Sequence, residues 1–260
     1  MKHLLFAGVI CLMLAMGAWA AGDPNLVIYY SFDSFTTVVP DESGKGHDAM
    51  VVGDVKPDPA GKRKGAARFA KTAYLDLNGP AFPAADIPVD AVTLCAWANP
   101  ENTGDHEAIF NARAADQTWI IHPEFRSSGK VRWLLRAPGG VTIFNMEEGQ
   151  WTPNQWIHYA GVYDSKTGLA ILYLNGEKIK EMQGDPANPK IAADWGLGAR
   201  VGKNIDDARP FAGLLDDLCL FKRALTQDEI KALMVNGPQI AATVPTRGVL
   251  TTTWGAIRDR

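Results

Sequence analysis

Apolar residues in this chain gather, from residue 26 onward, into short runs separated by Gly, Pro, Asn and Asp. Runs rich in β-branched and aromatic residues and bounded by turn formers predict strands. They fall at 26–32, 47–52, 66–69, 74–77, 92–98, 107–111, 119–122, 131–136, 141–144, 157–163, 169–174 and 214–221. Asn175-Gly176 stands between the apolar run ending at Leu174 and the segment 177–179. A type I′ hairpin turn needs positive φ at both central positions, so this pair marks a hairpin. The pattern predicts an all-β fold, a two-sheet antiparallel β-sandwich.

The last run is unusual. It opens at Gly213 and stays apolar to Phe221 except for the adjacent carboxylates Asp216 and Asp217. A helix signal follows at once. Thr226 is placed as N-cap with Glu229 as its capping-box partner, and Leu225 and Ile230 occupy the two positions of a hydrophobic staple. Gly237 and Pro238 end that helix, predicting one short helix near the C-terminus.

The two ends of the chain differ from its middle. Lys2 and His3 precede an apolar run at 4–16, and Ala18-Trp19-Ala20 supplies the small residues a signal peptidase reads. Residues 1–20 are therefore expected to be a cleaved signal peptide, since the run is short for a bilayer span. Cys11 follows Ile10 rather than a small residue, which argues against a lipoprotein site. The expected location is secreted, periplasmic or extracellular, with no membrane insertion after cleavage. Residues 21–238 form the expected domain. Residues 239–260, with Trp254, read as a tail that either packs along the domain or binds a partner.

Charge narrows the partners. The 260-residue chain has a formal net charge of −3, and its basic residues are scattered apart from Lys62-Arg63-Lys64. Nothing in that distribution suggests a nucleic-acid footprint, and the 62–64 cluster reads as a solvated loop rather than a binding patch.

Several segments carry a family resemblance. The closing stretch fits F-x-G-x-(I/L)-D-(D/E)-(L/V)-x-(I/L)-(F/Y)-x-R-A-L-(S/T)-x-x-E-I. In order before it come Tyr30-Ser-Phe-Asp33, Asp41-Glu-Ser-Gly-Lys-Gly46, Gly65-Ala-Ala-Arg-Phe69, Thr93-Leu-Cys-Ala-Trp-Ala98, Trp156-Ile-His-Tyr-Ala-Gly-Val-Tyr-Asp164, Leu172-Tyr-Leu-Asn-Gly-Glu177 and Arg200-Val-Gly-Lys-Asn204. The ordered set, over roughly 25–237, resembles laminin-G-like, concanavalin A-like lectin/glucanase domains. The resemblance implies a jelly roll and says little about the ligand.

In this family the first and last strands lie close together, which implies that Asp33 approaches Asp216. Asp33, Asp41 and Asp216, with Asp217 as a substitute, are the candidate ligands of one structural calcium, which takes hard oxygen donors. The competing reading has the same carboxylates closing turns and accepting backbone hydrogen bonds. By the same resemblance, Trp119, His122, Trp133, Arg136, Phe144 and Trp151 line a concave sheet able to bind sugar, with core packing as the alternative.

The mature chain keeps Cys95 and Cys219, each in the middle of a strand. A cross-strand disulfide between them is feasible if those strands are neighbours, and the alternative is two buried free thiols. Catalysis is not expected. Glucanases of this fold carry Glu, Asp and Glu at alternate positions of one strand, and Glu101, Asp105 and Glu107 do not fit that spacing. There is no G-x-S-x-G elbow. The expected function is a non-catalytic, calcium-stabilised carbohydrate-binding module, with protein–protein adhesion or envelope assembly as the alternative. The partner is a glycan or a cell-surface or extracellular protein.

Overall fold

The structure is a computed structural model describing residues 22–77 and 82–238. The expected signal peptide and tail lie outside the described residues. Two antiparallel sheets face each other across a single apolar core. The strands that position the features discussed below are β1 (Leu26–Tyr30), β2 (Ala91–Pro100), β3 (Phe110–Arg113), β4 (Trp119–Ile121), β5 (Glu124–Phe125), β6 (Val131–Arg136), β7 (Thr142–Glu148), β8 (Ile157–Asp164) and β9 (Gly213–Phe221). One helix, α1, spans Gln227–Asn236.

The eight-stranded sheet runs Glu177–Gln183, Leu169–Leu174, β8, β2, β9, Ala66–Phe69 and Val55–Asp58, with β1 also paired to β9. The predicted strand at 214–221 is thus central, flanked by β2 along one edge. Its other edge is shared by two neighbours. Ala66–Phe69 pairs with its first residues, and β1 with its last. The ten-stranded sheet contains Val38–Val39, Ala49–Val52, Tyr74–Asp76, Ala199–Val201, β3, β4, β6, β5 and Glu107–Ala108 in that order, with β7 beside β6.

Several strands escape the apolar pattern. For Glu177–Gln183 the sequence predicts only the first residues, as a hairpin arm, yet the strand continues to Gln183 along the sheet edge, exposed at every position but Met182. An edge strand with no buried face has no apolar alternation to read. Val38–Val39, Val55–Asp58, Glu124–Phe125 and Ala199–Val201 are too short to show a period.

The core is set by close approach at one point. The fully buried Trp133 of β6 donates its indole N–H to the Val162 carbonyl of β8 at 3.1 Å. The ring fits because residue 161 is glycine: a Cβ there would lie 2.6 Å from Trp133 Cδ2. Gly161→Ala is therefore expected to overpack the core and cost about 1–3 kcal/mol. A drop in the urea midpoint with an unchanged slope would show it; an unchanged midpoint would mean that Trp133 can shift freely.

A second apolar layer covers the far side of the eight-stranded sheet. Leu26, Tyr29, Cys95, Ala160, Tyr173, Cys219 and Phe221 meet Ile230 and Leu233 of α1. The helix begins as its sequence predicts, with Thr226 accepting from the Glu229 amide and Glu229 accepting from the Thr226 amide. Trp97 ties its far end by donating to the Met234 carbonyl at 3.2 Å. Beneath this helix Cys95 and Cys219 are directly opposite on β2 and β9. Both are buried free thiols.

Candidate functional site

Side chains alternate across a strand, so each sheet has a core face and an outer face. In β6, Trp133 and Leu135 enter the core while Arg132 and Arg136 point the other way. That parity divides the six candidate ligand-binding residues. Trp119, His122 and Arg136 gather on the outer face of the ten-stranded sheet. Trp133, Phe144 and Trp151 do not join them. Trp133 packs on Phe144 and Tyr159, Phe144 on Tyr163, and Trp151 on Phe125, all in the core between the sheets. Trp151 also donates to the Arg126 carbonyl at 3.0 Å. Trp133 and Arg136 are an odd number of residues apart on one strand and so belong to opposite faces.

The outer face is built on a buried carboxylate that sequence reasoning missed. Glu124 of β5 is fully buried and accepts from Arg126 at 2.7 Å and Arg132 at 3.2 Å, while Arg209 lies 2.6 Å away. His122 donates to it as well. Burial opposes ionisation of Glu124, but the His122 hydrogen bond and the charges of Arg132 and Arg209 outweigh it and hold its pKa well below the usual carboxylate range.

Burial lowers the pKa of His122, so its ring is neutral near pH 7. Its tautomer follows from its partners: Nδ1 accepts from Asn111 Nδ2 at 2.9 Å, leaving Nε2–H for Glu124.

On this base sits Trp119. Its ring stacks on His122 with centroids 5.0 Å apart, and the Arg209 and Arg136 guanidiniums lie 4.2 and 5.7 Å from its centroid. A register shift between Trp119 and Ile121 marks an irregularity in β4, which lets Trp119 and His122 share a side although they are an odd number of residues apart. Arg126 and Arg132 also approach Glu147 of β7, at 3.3 and 3.9 Å. Exposed Asn145 accepts from Arg132 at 2.8 Å. Aromatic, guanidinium, amide and carboxylate groups thus form one rigid polar surface.

The paired carboxylates of β9 have a local explanation. They lie where the strand changes edge neighbours, at a register break between Asp216 and Cys219, with Asp217 at φ 47°. Asp216 accepts from the Lys62 and Arg63 amides at 2.7 and 3.1 Å, closing the preceding loop onto the strand. Asp217 accepts from Tyr29 Oη at 2.7 Å and lies 3.3 Å from Arg63 Nε.

Of the four predicted metal ligands, Asp33 and Asp217 reach one rim pocket of about 170 Å³, joined there by Glu42 and faced by Arg63 and Lys64. Asp33 accepts from Lys64 at 2.9 Å and from the Gly65 amide at 3.2 Å. Asp41 lies apart. Its oxygens are held by the amides of Tyr29, Ser43 and His47 and by the Ser43 hydroxyl. Asp216 is likewise turned toward the 62–63 backbone. Among the described residues, no three His, Cys, Asp or Glu side chains already stand in a metal-binding arrangement.

The acidic residues weighed for catalysis hold structure in place. Glu107 is buried and accepts from the Thr103 amide at 2.7 Å, and Glu101 pairs with Arg68 at 3.0 Å. His158 is buried on the side of the sheet that faces α1, edge-on to Trp97.

This two-sheet jelly roll, with an open polar face on one sheet, is the architecture of a lectin-like domain. The chain belongs to the concanavalin A-like lectin/glucanases superfamily, whose pattern it matches over residues 70–231. No curated protein matches the sequence.

Among solved structures, the binding domain of the Paraclostridial mosquitocidal protein 1 superposes with a TM-score of 0.60 at 16% identity, over 81% of this chain and 52% of that one. The ligand-binding domain of botulinum neurotoxin serotype D, in complex with N-acetylneuraminic acid, gives 0.60 at 14%, over 81% and 50%. Domain 4 of AbnA, an extracellular arabinanase from Geobacillus stearothermophilus, in complex with arabinotriose, gives 0.55 at 20%, over 81% and 98%. The chain spans about half the length of the toxin domains it matches. At these identities the likeness is one of fold. Among the described residues no helix is long and apolar enough to cross a membrane.

Proposed function

We propose that this chain is a secreted, non-catalytic glycan-binding module that uses the outer face of its ten-stranded sheet. One observation carries the reading: Trp119 stands on that face held by His122, Arg209 and Arg136. An indole packs against the C–H surface of a sugar, while guanidinium and amide groups supply directional hydrogen bonds to its hydroxyls. Holding these groups rigidly before the ligand arrives lowers the entropy cost of binding. The domain of AbnA with arabinotriose supports the class of ligand by analogy of fold.

A glycan array probed with the mature protein and with Trp119→Ala tests the reading. Binding by the wild type and a loss of at least about tenfold in the variant are expected, as for an aromatic anchor. Retained glycan binding in Trp119→Ala would move the site elsewhere. Binding to extracellular protein ligands in place of glycans would favour the adhesion reading.

Calcium belongs to the same proposal at the rim pocket. Asp33, Glu42 and Asp217 are oxygen donors lining one space, and the buried Asp217 Oδ2 has the Arg63 guanidinium 3.3 Å away but no hydrogen bond of good geometry. Among the described residues these carboxylates are not yet in a metal-binding arrangement, so an ion here would have to draw the three together and displace Lys64 and Arg63. A folded-state ligand raises the unfolding midpoint by mass action. Calcium is expected to raise it, a chelator to reverse the rise, and Asp217→Asn to abolish the response. A midpoint indifferent to calcium would leave the ion pairs as the closure of this rim.

A further inference from the structure

Four arginines stand on this face, two of them, Arg209 and Arg136, over Trp119, yet the carboxylates beside them serve only three. Arg126, Arg132 and Arg209 converge on Glu124, and the first two also approach Glu147. Arg136 lies against the indole and, among the described residues, has no carboxylate within ion-pair distance. Its Nε is buried with no hydrogen-bond partner. Across the cluster these four guanidiniums exceed Glu124 and Glu147 by two positive charges.

We propose that the glycan bound on this face is acidic, with a carboxylate or sulfate group seated against Arg136 beside Trp119. This rests on the glycan-binding reading and narrows it to a chemical class. A buried donor without a partner is costly, and a guanidinium without a counter-ion in a half-buried setting is more so. An anion arriving from outside at the accessible end of this half-buried guanidinium supplies the missing counter-charge. Planar guanidinium matches carboxylate and sulfate oxygens through two parallel N–H donors, which a neutral hydroxyl cannot exploit.

The surrounding charges favour the same outcome. Burial lowers the pKa of Arg136, and the neighbouring charges of Arg132 and Arg209 lower it further, so an added negative charge here would relieve repulsion. Glu124 cannot supply that charge, because its oxygens already face His122, Arg126, Arg132 and Arg209. A neutral sugar could use the indole and Asn145 but would leave Arg136 unmatched.

The test is a calorimetric titration of the mature protein with matched oligosaccharide pairs: oligogalacturonate against its methyl ester, and a sulfated galactan oligosaccharide against its desulfated form. At least one acidic member is expected to bind about tenfold or more tightly than its neutral mate, with affinity falling as salt rises. The carboxylate and sulfate arms tell the two anions apart. Arg136→Gln should erase the preference while retaining weak binding of the neutral sugar, and Trp119→Ala should erase both. A melting curve for Arg136→Gln controls for folding, and the salt dependence of the wild type needs no variant.

Equal binding of acidic and neutral members, insensitive to salt, would overturn the inference and leave glycan binding standing. If acidic members bind but Arg136→Gln keeps the full preference, the assignment to Arg136 is overturned. Absence of binding by every member, alongside neutral glycans captured on the array, also counts against it. Absence on both would sink the glycan reading itself.

Discussion

Replacing Glu124 with alanine is expected to destabilise the protein by about 3–5 kcal/mol, the cost of removing one side of a buried ion pair. The reason is geometric. One fully buried carboxylate faces His122, Arg126, Arg132 and Arg209. Without it, several guanidiniums confront one another, with Glu147, among the described residues, left to pair with Arg126 and Arg132 alone. Glu124→Gln keeps an acceptor and nearly the same volume but loses the charge, so it should fall between alanine and the wild type. Urea unfolding of the three proteins at neutral pH gives the order directly. A change under about 1 kcal/mol in the alanine variant would mean that the arginines find solvent without strain and that the cluster is a surface feature.

The same variant links stability to function. If Glu124 holds Arg209 and, through His122, the ring of Trp119, its loss should disorder the stack and weaken ligand binding beyond the effect on folding. The contacts supporting that chain are the Arg209 ion pair at 2.6 Å and the stacking of His122 on Trp119 at 5.0 Å. Glu124 would then act as a positioning residue, with no contact to ligand required.

Why is Glu124 invisible in the sequence when the fold is not? The fold rests on repetition. Many short apolar runs, Asn175-Gly176 and the Thr226 capping box all point to the same sandwich, and the pairing of β1 with β9 follows the closeness that the family resemblance implies. A site rests on single residues brought together from separate strands. Glu124 sits on a two-residue strand, too short to show alternation, and Arg209 comes from a loop with no period at all.

Parity is legible where strands are long. On β6 the polar phase at Arg132 and Arg136 is readable, and applied strictly it separates Trp133 from Arg136. Counting aromatic residues without that parity places Trp133, Phe144 and Trp151 on the wrong face. At Trp119 the parity rule itself fails, because a register irregularity in β4 brings it to the side of His122. The adjacency of Cys95 and Cys219 depends on which strands are neighbours, and only the sheet order supplies that.

The acidic pair in β9 carries the other large expectation. Burial pushes the pKa of Asp216 up to about 7, the charge of Asp217 adds to the rise, and the Arg63 and Lys62 amides oppose it. The folded state therefore holds this proton more tightly than the unfolded chain, whose carboxyl titrates near 3.8. The stability gained from protonation is fully present below that value and is lost as pH rises through about 7. Glu124, with its depressed pKa, works in the opposite sense: its stabilisation is present above 4.5 and fades only in more acidic solution.

Between about pH 4 and 7 the β9 pair should thus contribute a negative slope. It is opposed by the buried His158 and His122, whose pKa values burial lowers, to about 3 for His158, so that they add stability as pH rises. Asp216→Asn keeps an acceptor for the Lys62 and Arg63 amides and removes the buried charge. It is expected to raise stability at neutral pH by about 1–3 kcal/mol and to remove that negative contribution, so that its stability rises more steeply with pH than the wild type's, since each tenfold gain in proton affinity on folding corresponds to about 1.4 kcal/mol at most. Unfolding curves of both proteins across this range, with chelator present, decide the matter. If Asp216→Asn is instead less stable at neutral pH, the carboxylate is ionised in the folded protein, and the loop at 62–63 depends on its charge. If calcium restores the wild type's advantage only when present, the charge at this edge of the sheet serves the rim pocket, and its cost without calcium reflects that role.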